Sequence, residues 1–284
     1  MADQISDLLR LPDGPVNLAG HDPRATPGFP SKKGKQEQPA LMAELATELG
    51  GLQERLFAAG RAQPRTAPSV LVILQGMDTS GKGGVIRHAA GLMDPQGVAI
   101  KGFKAPTKEE LSHDFLWRIR REVPGPGMVG IFDRSQYEDV LVVRVDRLVP
   151  KREWETRFER INDFEAELAE SGTKIIKCFL NVSYTEQGER LMERLDRPDK
   201  HWKYNPGDLQ VRAKWDRYQL AYTDVLRRCH TEVAPWYVIP SDRKWYRNWA
   251  VAQLLTEQLR SLNLGWPPAD FDVAEQRRAL LQTI

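Results

Sequence analysis

Apolar residues along this 284-residue chain fall into two alternating kinds of run. Short unbroken apolar stretches at about 70–75, 98–103, 128–132, 174–181 and 236–240 predict strands covered on both faces. Between them lie stretches with helical spacing. Leu41, Leu45, Leu49, Leu52 and Leu56 mark a helix over 38–60 that ends at Gly60. Trp154, Phe158, Ile161, Phe164 and Leu168 line one face of a highly charged helix over 152–171, a stripe most simply read as core packing. Shorter helices are predicted after the first strand, from Val85 to Leu92, and from Tyr137 to Val145. Strands alternating with helices predict an α/β fold of three layers: a mostly parallel five-stranded sheet with helices on both faces. Residues 1–36, rich in Pro, Gly and Lys from 11 onward, read as an extended N-terminal arm, and 37–284 as a single domain. There is no internal repeat, heptad run or interdomain linker.

The turn after the first strand carries the most chemistry. Residues 76–84 read GMDTSGKGG, so Gly76, Gly81 and Lys82 stand at the G-x-x-x-x-G-K spacing of a phosphate-binding loop between a strand and a helix. Backbone N–H groups of such a loop have no partners within the helix and converge on a phosphate, aided by the helix dipole. Glycines at 76, 81, 83 and 84 allow close approach, Thr79 and Ser80 belong to the same cradle, and Lys82 supplies a point charge. Position 83 is Gly where such loops ordinarily carry a hydroxyl ligand for magnesium, which leaves Asp78, inside the loop, as the substitute oxygen donor. The bland alternative is a glycine-rich turn that binds nothing.

A second acid follows the third strand. The run 128–132 ends in Asp133-Arg134-Ser135, and ligands of open α/β sheets bind beyond the carboxyl ends of the strands. Asp133 is therefore expected beside the loop as a second carboxylate of one magnesium (or manganese) site, with Arg134 on phosphate and Tyr137 and Glu138 orienting the loop or the acceptor. Asp133 or Ser135 could instead simply cap the following helix.

Composition narrows the class without naming a partner. Hydrophobic content of 41% and charged content of 28% describe an ordinary globular protein. No apolar run nears the roughly 20 residues of a membrane span, and the acidic, polar N-terminus lacks the order of a secretory signal. The expectation is a cytoplasmic enzyme with no membrane or nucleic-acid partner. Cys178 and Cys229 lack metal-ligand spacing and read as buried thiols. A net charge of +2 predicts no polyanion partner, but cations crowd locally. Lys101, Lys104, Arg118 and Arg121 could line a path for a polyanionic chain.

A third basic group lies at 189–208, ERLMERLDRPDKHWKYNPGD, where Arg190 and Arg194 share a helix face and Pro198 breaks the helix. Lys200, a buried-type Trp202 and Lys203 then follow before Pro206-Gly207. A cationic helix and loop over about 186–207 suits a lid that closes on phosphates and excludes competing water. A solvated charged face is the alternative.

These motifs together resemble the polyphosphate kinase type 2 family, which combines a loop GxDxxGKGG, a segment Asp-Arg-Ser-x-Tyr and a lid ERLxxPxKxWKxxxxD. The chain has GMDTSGKGG at 76–84, DRSQYED at 133–139 and ERLDRPDKHWKYNPGD at 193–208, in order, and the resemblance runs from about Val16 to Trp266. It implies a P-loop kinase fold and magnesium-dependent phosphoryl transfer between inorganic polyphosphate and a nucleotide. Asp78 and Asp133 would hold the metal, Lys82 and Arg134 would neutralise the transferred group, and Arg194, Lys200 and Lys203 would be lid contacts. AMP and ADP are the acceptors it suggests, in a homo-oligomer of two or four copies. Two rivals remain: an ATP-dependent small-molecule kinase of the same fold, separable by donor competition, and a non-catalytic polyanion-binding module, which would need no paired carboxylates.

Overall fold

In the computed structural model, which describes residues 4–284, five strands form one parallel sheet: β1 (Ser69–Gln75), β2 (Val98–Gly102), β3 (Val129–Asp133), β4 (Thr173–Asn181) and β5 (Trp236–Pro240). Their order across the sheet is β2-β3-β1-β4-β5, so every connection is a crossover and every pairing is parallel. β1 is buried at all seven positions, as its unbroken apolar run requires of a central strand. The sheet is thus wholly parallel.

Helices cover both faces. In chain order they are α1 (Ile5–Leu9), α2 (Gln38–Ala62), α3 (Lys82–His88), α4 (Lys108–Leu111), α5 (Trp117–Arg120), α6 (Val142–Val145), α7 (Lys151–Glu170), α8 (Tyr184–Asp196), α9 (Gly207–Arg212), α10 (Trp215–Arg228), α11 (Lys244–Arg260) and α12 (Val273–Leu281). One core cluster joins the sheet to α1, α2, α3 and α11, through residues such as Leu49, Leu56, Val72, Tyr246 and Leu254. The other joins the opposite face to α7 and α10, through Leu71, Phe158, Ile161, Phe164, Tyr222 and Trp236. The leucine and aromatic stripes read from the sequence are the inner faces of α2 and α7. Cys178 and Cys229 are buried free thiols; Cys229 lies just past the end of α10.

Three local readings differ. The N-terminal arm is not extended throughout: α1 forms because the Glu257 carboxylate accepts from the free N–H groups of Ile5 and Ser6 (3.0 and 2.9 Å), and Ile5 and Leu9 enter the core. Phe29 is then held edge-on between Trp245 and Trp249. The helix predicted from Tyr137 to Val145 is split into a 3-10 turn, Gln136–Asp139, and the single-turn α6. Here Gln136 and Tyr137 are both tied to Glu165 of α7, and these long-range bonds override local helical spacing. The predicted helix from Val85 to Leu92 starts at Lys82, ends at His88 and gives way to a 3-10 turn, Ala90–Leu92.

Candidate active site

The carboxyl ends of β1 and β3 bring the two sequence motifs together. Leu74 is in register with Asp133, and the Arg134 N–H donates to the Leu74 carbonyl at 3.1 Å. Asp133 therefore lies beside the strand that leads into the phosphate loop. Arg134 adopts a left-handed φ of 65° and reaches back to Asp78, Nη2 to Oδ1 at 2.6 Å. The capping question is also settled: Ser135, not Asp133, accepts from the Tyr137 N–H at the start of the 3-10 turn, which leaves the Asp133 carboxylate free for the site.

Lys82 is buried at the start of α3, where it donates to the loop carbonyls of Gly76 (2.9 Å) and Met77 (3.4 Å). Burial, and then Arg134, push its pKa down, while Asp78, Asp133 and Glu138 oppose the shift. Burial also raises the Glu138 pKa, against the pull of Arg134 and Lys82. For Arg134 burial works against the charge, but Glu138, Asp78, Tyr222 and Asp133 outweigh it and hold the guanidinium firmly protonated. Two cations and three carboxylates thus face one another in a small volume. The Thr79 and Ser80 hydroxyls are buried without a hydrogen-bond partner, and Thr79 has a left-handed φ of 64°. Such orphan donors in a loop signal a bound group that would satisfy them.

The glycines have divided roles. A side chain on Gly81 or Gly84 would collide with the guanidinium of Arg247 from α11, and Gly81 also has a φ of 111°. A side chain on Gly83 would meet nothing within 4 Å. Gly76, with a φ of 151°, lies against the Leu180 carbonyl and Ser80. Close approach at 81 and 84 is therefore to an arginine behind the loop.

That support escaped sequence reasoning. Arg247 is buried, donates to the Ser80 carbonyl at 3.2 Å and to Asn248, and is pushed down to about 9 by burial and then by Arg190. Arg190, grouped with the lid cations by its helix spacing, is buried too. It donates to the carbonyls of Thr79 (2.8 Å), Ser80 (3.2 Å), Ser241 (2.6 Å) and Asp242 (3.0 Å). It couples α8 to the back of the loop and does not face outward with Arg194. Asp208 was also missed as a site residue. Burial and then Asp78 raise its pKa, and it accepts from Arg194 at 3.2 Å. The lid sequence ending in that aspartate was the available signal.

The stretch predicted as a lid comprises α8, a 3-10 turn at Pro198–Lys203, and α9. Arg194 also donates to the Lys203 carbonyl (2.9 Å), and Lys200 pairs with Glu193. Trp202 corrects the expectation of a buried anchor: it is 77% exposed, with Lys203 over its ring at 4.8 Å. Its indole N–H is satisfied by the Asp199 carbonyl (3.1 Å), so nothing draws the ring inward.

Next to Arg134 and Glu138 opens a cavity of about 520 Å³. Lys104 and Arg118 line it with apolar groups such as Phe103, Phe115, Val142 and Leu148. Arg118 is buried there; it donates to the Lys104 carbonyl (2.8 Å) and sits 3.7 Å from Asp139. Lys101 and Arg121 do not line this cavity: Lys101 pairs with Glu122, and Arg121 lies over Trp117. Among the described residues no group of three or more His, Cys, Asp or Glu is arranged to hold a metal ion. Asp78 and Asp133, with the phosphate oxygens and waters that magnesium prefers, make a fitting but incomplete donor set.

Comparison with known proteins assigns the lineage. The family model for polyphosphate kinase 2 matches residues 32–264. An AMP/ADP-polyphosphate phosphotransferase of Meiothermus ruber is 47% identical over 256 residues, spanning 90% of this chain and 93% of the relative. An ADP-polyphosphate phosphotransferase of Rhodopseudomonas palustris is 37% identical, spanning 94% and 92%. The crystal structure of polyphosphate kinase 2 from Arthrobacter aurescens superposes with a TM-score of 0.94 at 51% identity, over 99% of this chain and 98% of that one. With its phosphate loop, parallel sheet and matching family segment, the chain belongs to the polyphosphate kinase 2 family.

Proposed function

We propose that this chain transfers the terminal phosphoryl group of inorganic polyphosphate to an adenine nucleotide, with AMP and ADP as acceptors, and that the reaction runs in the cytoplasm without nucleic acid or membrane. The observation that carries this reading is the convergence of Asp78, Lys82, Asp133, Arg134 and Glu138 where β1 and β3 end, facing a basic lid. The names of the relatives point the same way.

A terminal phosphate oxygen of the nucleotide attacks the terminal phosphorus of the chain. The bridging P–O bond breaks, and its electron pair stays with the polyphosphate shortened by one unit. The transition state is loose, with charge on the equatorial oxygens, so placement and cations do most of the work. Lys82 turns from the Gly76 carbonyl to the transferred group, and Arg134 stabilises it from the β3 side. The acceptor phosphate is already ionised, so the chain needs no general base. Asp78 and Asp133 would hold magnesium, which when bound neutralises charge between the phosphates. Arg194, Lys200 and Lys203 close over the phosphates. The cavity, where apolar groups stand among the cations Lys104, Arg118, Arg134 and Arg157 and the carboxylates Glu110, Glu138, Asp139 and Glu153, would take a nucleotide with Lys104 and Arg118 toward its phosphates.

The test is to incubate the protein with AMP or ADP, polyphosphate and magnesium, without ATP. Formation of ADP and ATP is expected; a folded protein that forms neither, yet uses ATP as donor to another acceptor, would overturn the reading.

A further inference from the structure

Two buried arginines, Arg190 of α8 and Arg247 of α11, converge on one peptide of the phosphate loop. Arg190 uses its whole fork. Its Nη1 donates to the carbonyls of Thr79 (2.8 Å) and Ser80 (3.2 Å), and its Nη2 to those of Ser241 (2.6 Å) and Asp242 (3.0 Å). The remaining donor, Nε, meets the Glu186 carboxylate at 2.8 Å. One planar group thus ties α8 to the loop and to the residues that follow β5. An ammonium, with three donors on one atom, could not span the same acceptors.

Arg247 Nη1 donates to the same Ser80 carbonyl at 3.2 Å, while Nε and Nη2 donate to Asn248. Its guanidinium fills the space that side chains on Gly81 and Gly84 would need. Among the described residues no carboxylate pairs with Arg247, and the Glu186 carboxylate is bonded to Arg190.

The Ser80 carbonyl therefore accepts from both guanidinium groups. In a planar trans peptide the carbonyl and the next N–H point in opposite directions. Drawing the Ser80 oxygen back onto the arginines turns the Gly81 N–H the other way. Among the described residues the N–H groups of Gly81, Lys82 and Gly83 donate to no protein acceptor, whereas those of Gly84 and Val85 donate to the Gly81 carbonyl. Successive free N–H groups of this kind form an anion-binding concavity.

We propose that Arg190 and Arg247 are positioning residues for the transfer reaction: they fix the Ser80–Gly81 peptide so that its N–H meets the phosphate that leaves. The inference rests on the reaction proposed above. As the bridging bond breaks, negative charge gathers on the leaving phosphate. A donor aimed there is worth more in the transition state than in the ground state. Loss of that aim lowers kcat more than it raises KM, although neither arginine touches the substrate.

The peptide itself supplies the test. Isotope labels on serine carbonyl carbon and glycine nitrogen mark only two joined pairs in this sequence, Ser80–Gly81 and Ser171–Gly172. The Gly172 N–H already donates to the Ala169 carbonyl and serves as the internal reference. Adding inorganic tripolyphosphate and magnesium to the parent protein should move the Gly81 amide proton downfield and leave Gly172 in place. In Arg190→Lys and Arg247→Met that shift should fall by about half or more, with kcat down roughly tenfold or more and the KM for polyphosphate within about threefold. A parent Gly81 amide that ignores tripolyphosphate, at concentrations where tripolyphosphate competes with the polyphosphate substrate, would overturn the proposal even if both variants failed to fold. Variants that lose stability yet keep the parent kcat would overturn it too, since that marks a purely structural role. A parent that shows the shift but transfers no phosphoryl group would count against the reaction and not against the placement of this peptide.

Discussion

Lys177 and Glu165 behind the site, and Glu193 with Lys200, Arg197 and Lys244 in front of it, are both clusters of opposite charge, built to different ends. Neither Lys177 nor Glu165 is exposed at all. Lys177 Nζ donates to Glu165 Oε2 (2.6 Å), the Cys229 carbonyl (2.6 Å) and the Tyr137 hydroxyl (3.0 Å), while Glu165 Oε1 accepts from Tyr137 (2.6 Å) and Gln136 (2.9 Å). Three of these bonds involve Gln136 or Tyr137 and anchor the segment that follows Asp133 and Arg134, and the other two tie β4 to α7 and to the end of α10. The lid cluster is largely solvated: its ion pairs share one carboxylate, Glu193, among three cations. Surface pairs of that kind contribute about 0–1 kcal/mol, and phosphate oxygens can replace them. Breaking a buried pair costs several times more. In the proposed reaction the foundation holds reacting groups still, and the lid gives up its partners when a polyanion arrives.

The largest expected effect lies at the loop between the two regions. Asp78→Ala or Asp133→Ala should lower the transfer rate by of order 10³-fold, because an oxygen ligand that would hold magnesium among the phosphates is lost. The double variant should cost little more than either single one, since the pair acts as a unit. Single-turnover kinetics would check this, and additive losses would separate the two acids.

Next comes the foundation. Glu165→Ala leaves Lys177 charged and unpaired in the interior, which should cost about 3–5 kcal/mol of stability. Denaturant titration should show that loss, along with slower transfer as Tyr137 and Gln136 come free. Lys177→Met/Glu165→Leu should recover much of the stability and little of the rate, because the apolar pair cannot hold Gln136 and Tyr137.

On the lid, Lys200→Ala and Lys203→Ala should each raise the KM for polyphosphate by roughly 3- to 30-fold, at about 1.4 kcal/mol per decade, with unfolding unchanged. Equal effects on stability at Lys200 and Lys177 would break the contrast between the regions.

The smallest effect is pH-dependent. Hydrogen bonds from Lys200 and Lys244 hold the Glu193 carboxyl down at about 2. A depressed folded pKa gives stabilisation that is complete above the ordinary carboxylate range, about 4.3, and lost as pH falls toward 2. Lid ordering, followed by hydrogen exchange, should be flat from neutral pH to about 5 and decline below it.

The layers of this fold were legible because buried strands and helix faces impose periodicities of their own: β1 read as an unbroken apolar run and α7 as an aromatic stripe. The positions of Asp78 and Lys82 were legible because a strand-to-helix turn fixes their spacing locally, and those of Asp133 and Arg134 because they end a second apolar strand. Arg190 and Arg247 were not. Their partners are backbone carbonyls of the loop more than a hundred residues away, and a carbonyl leaves no mark in a sequence. Trp202 misled for the converse reason, since a large aromatic side chain reports apolar area without saying which surface covers it. Glu165 was hidden among the many charged residues of α7.

Polyphosphate is the proposed donor at the loop held by Arg190 and Arg247. Isotope-labelled polyphosphate supplied with unlabelled ADP and magnesium, and no ATP, tests it most directly. Label in the terminal phosphate of newly formed ATP, abolished by Asp78→Ala in a protein that melts at the parent temperature, is the predicted result. Label that never leaves the chain, or transfer that survives the loss of Asp78, would contradict it.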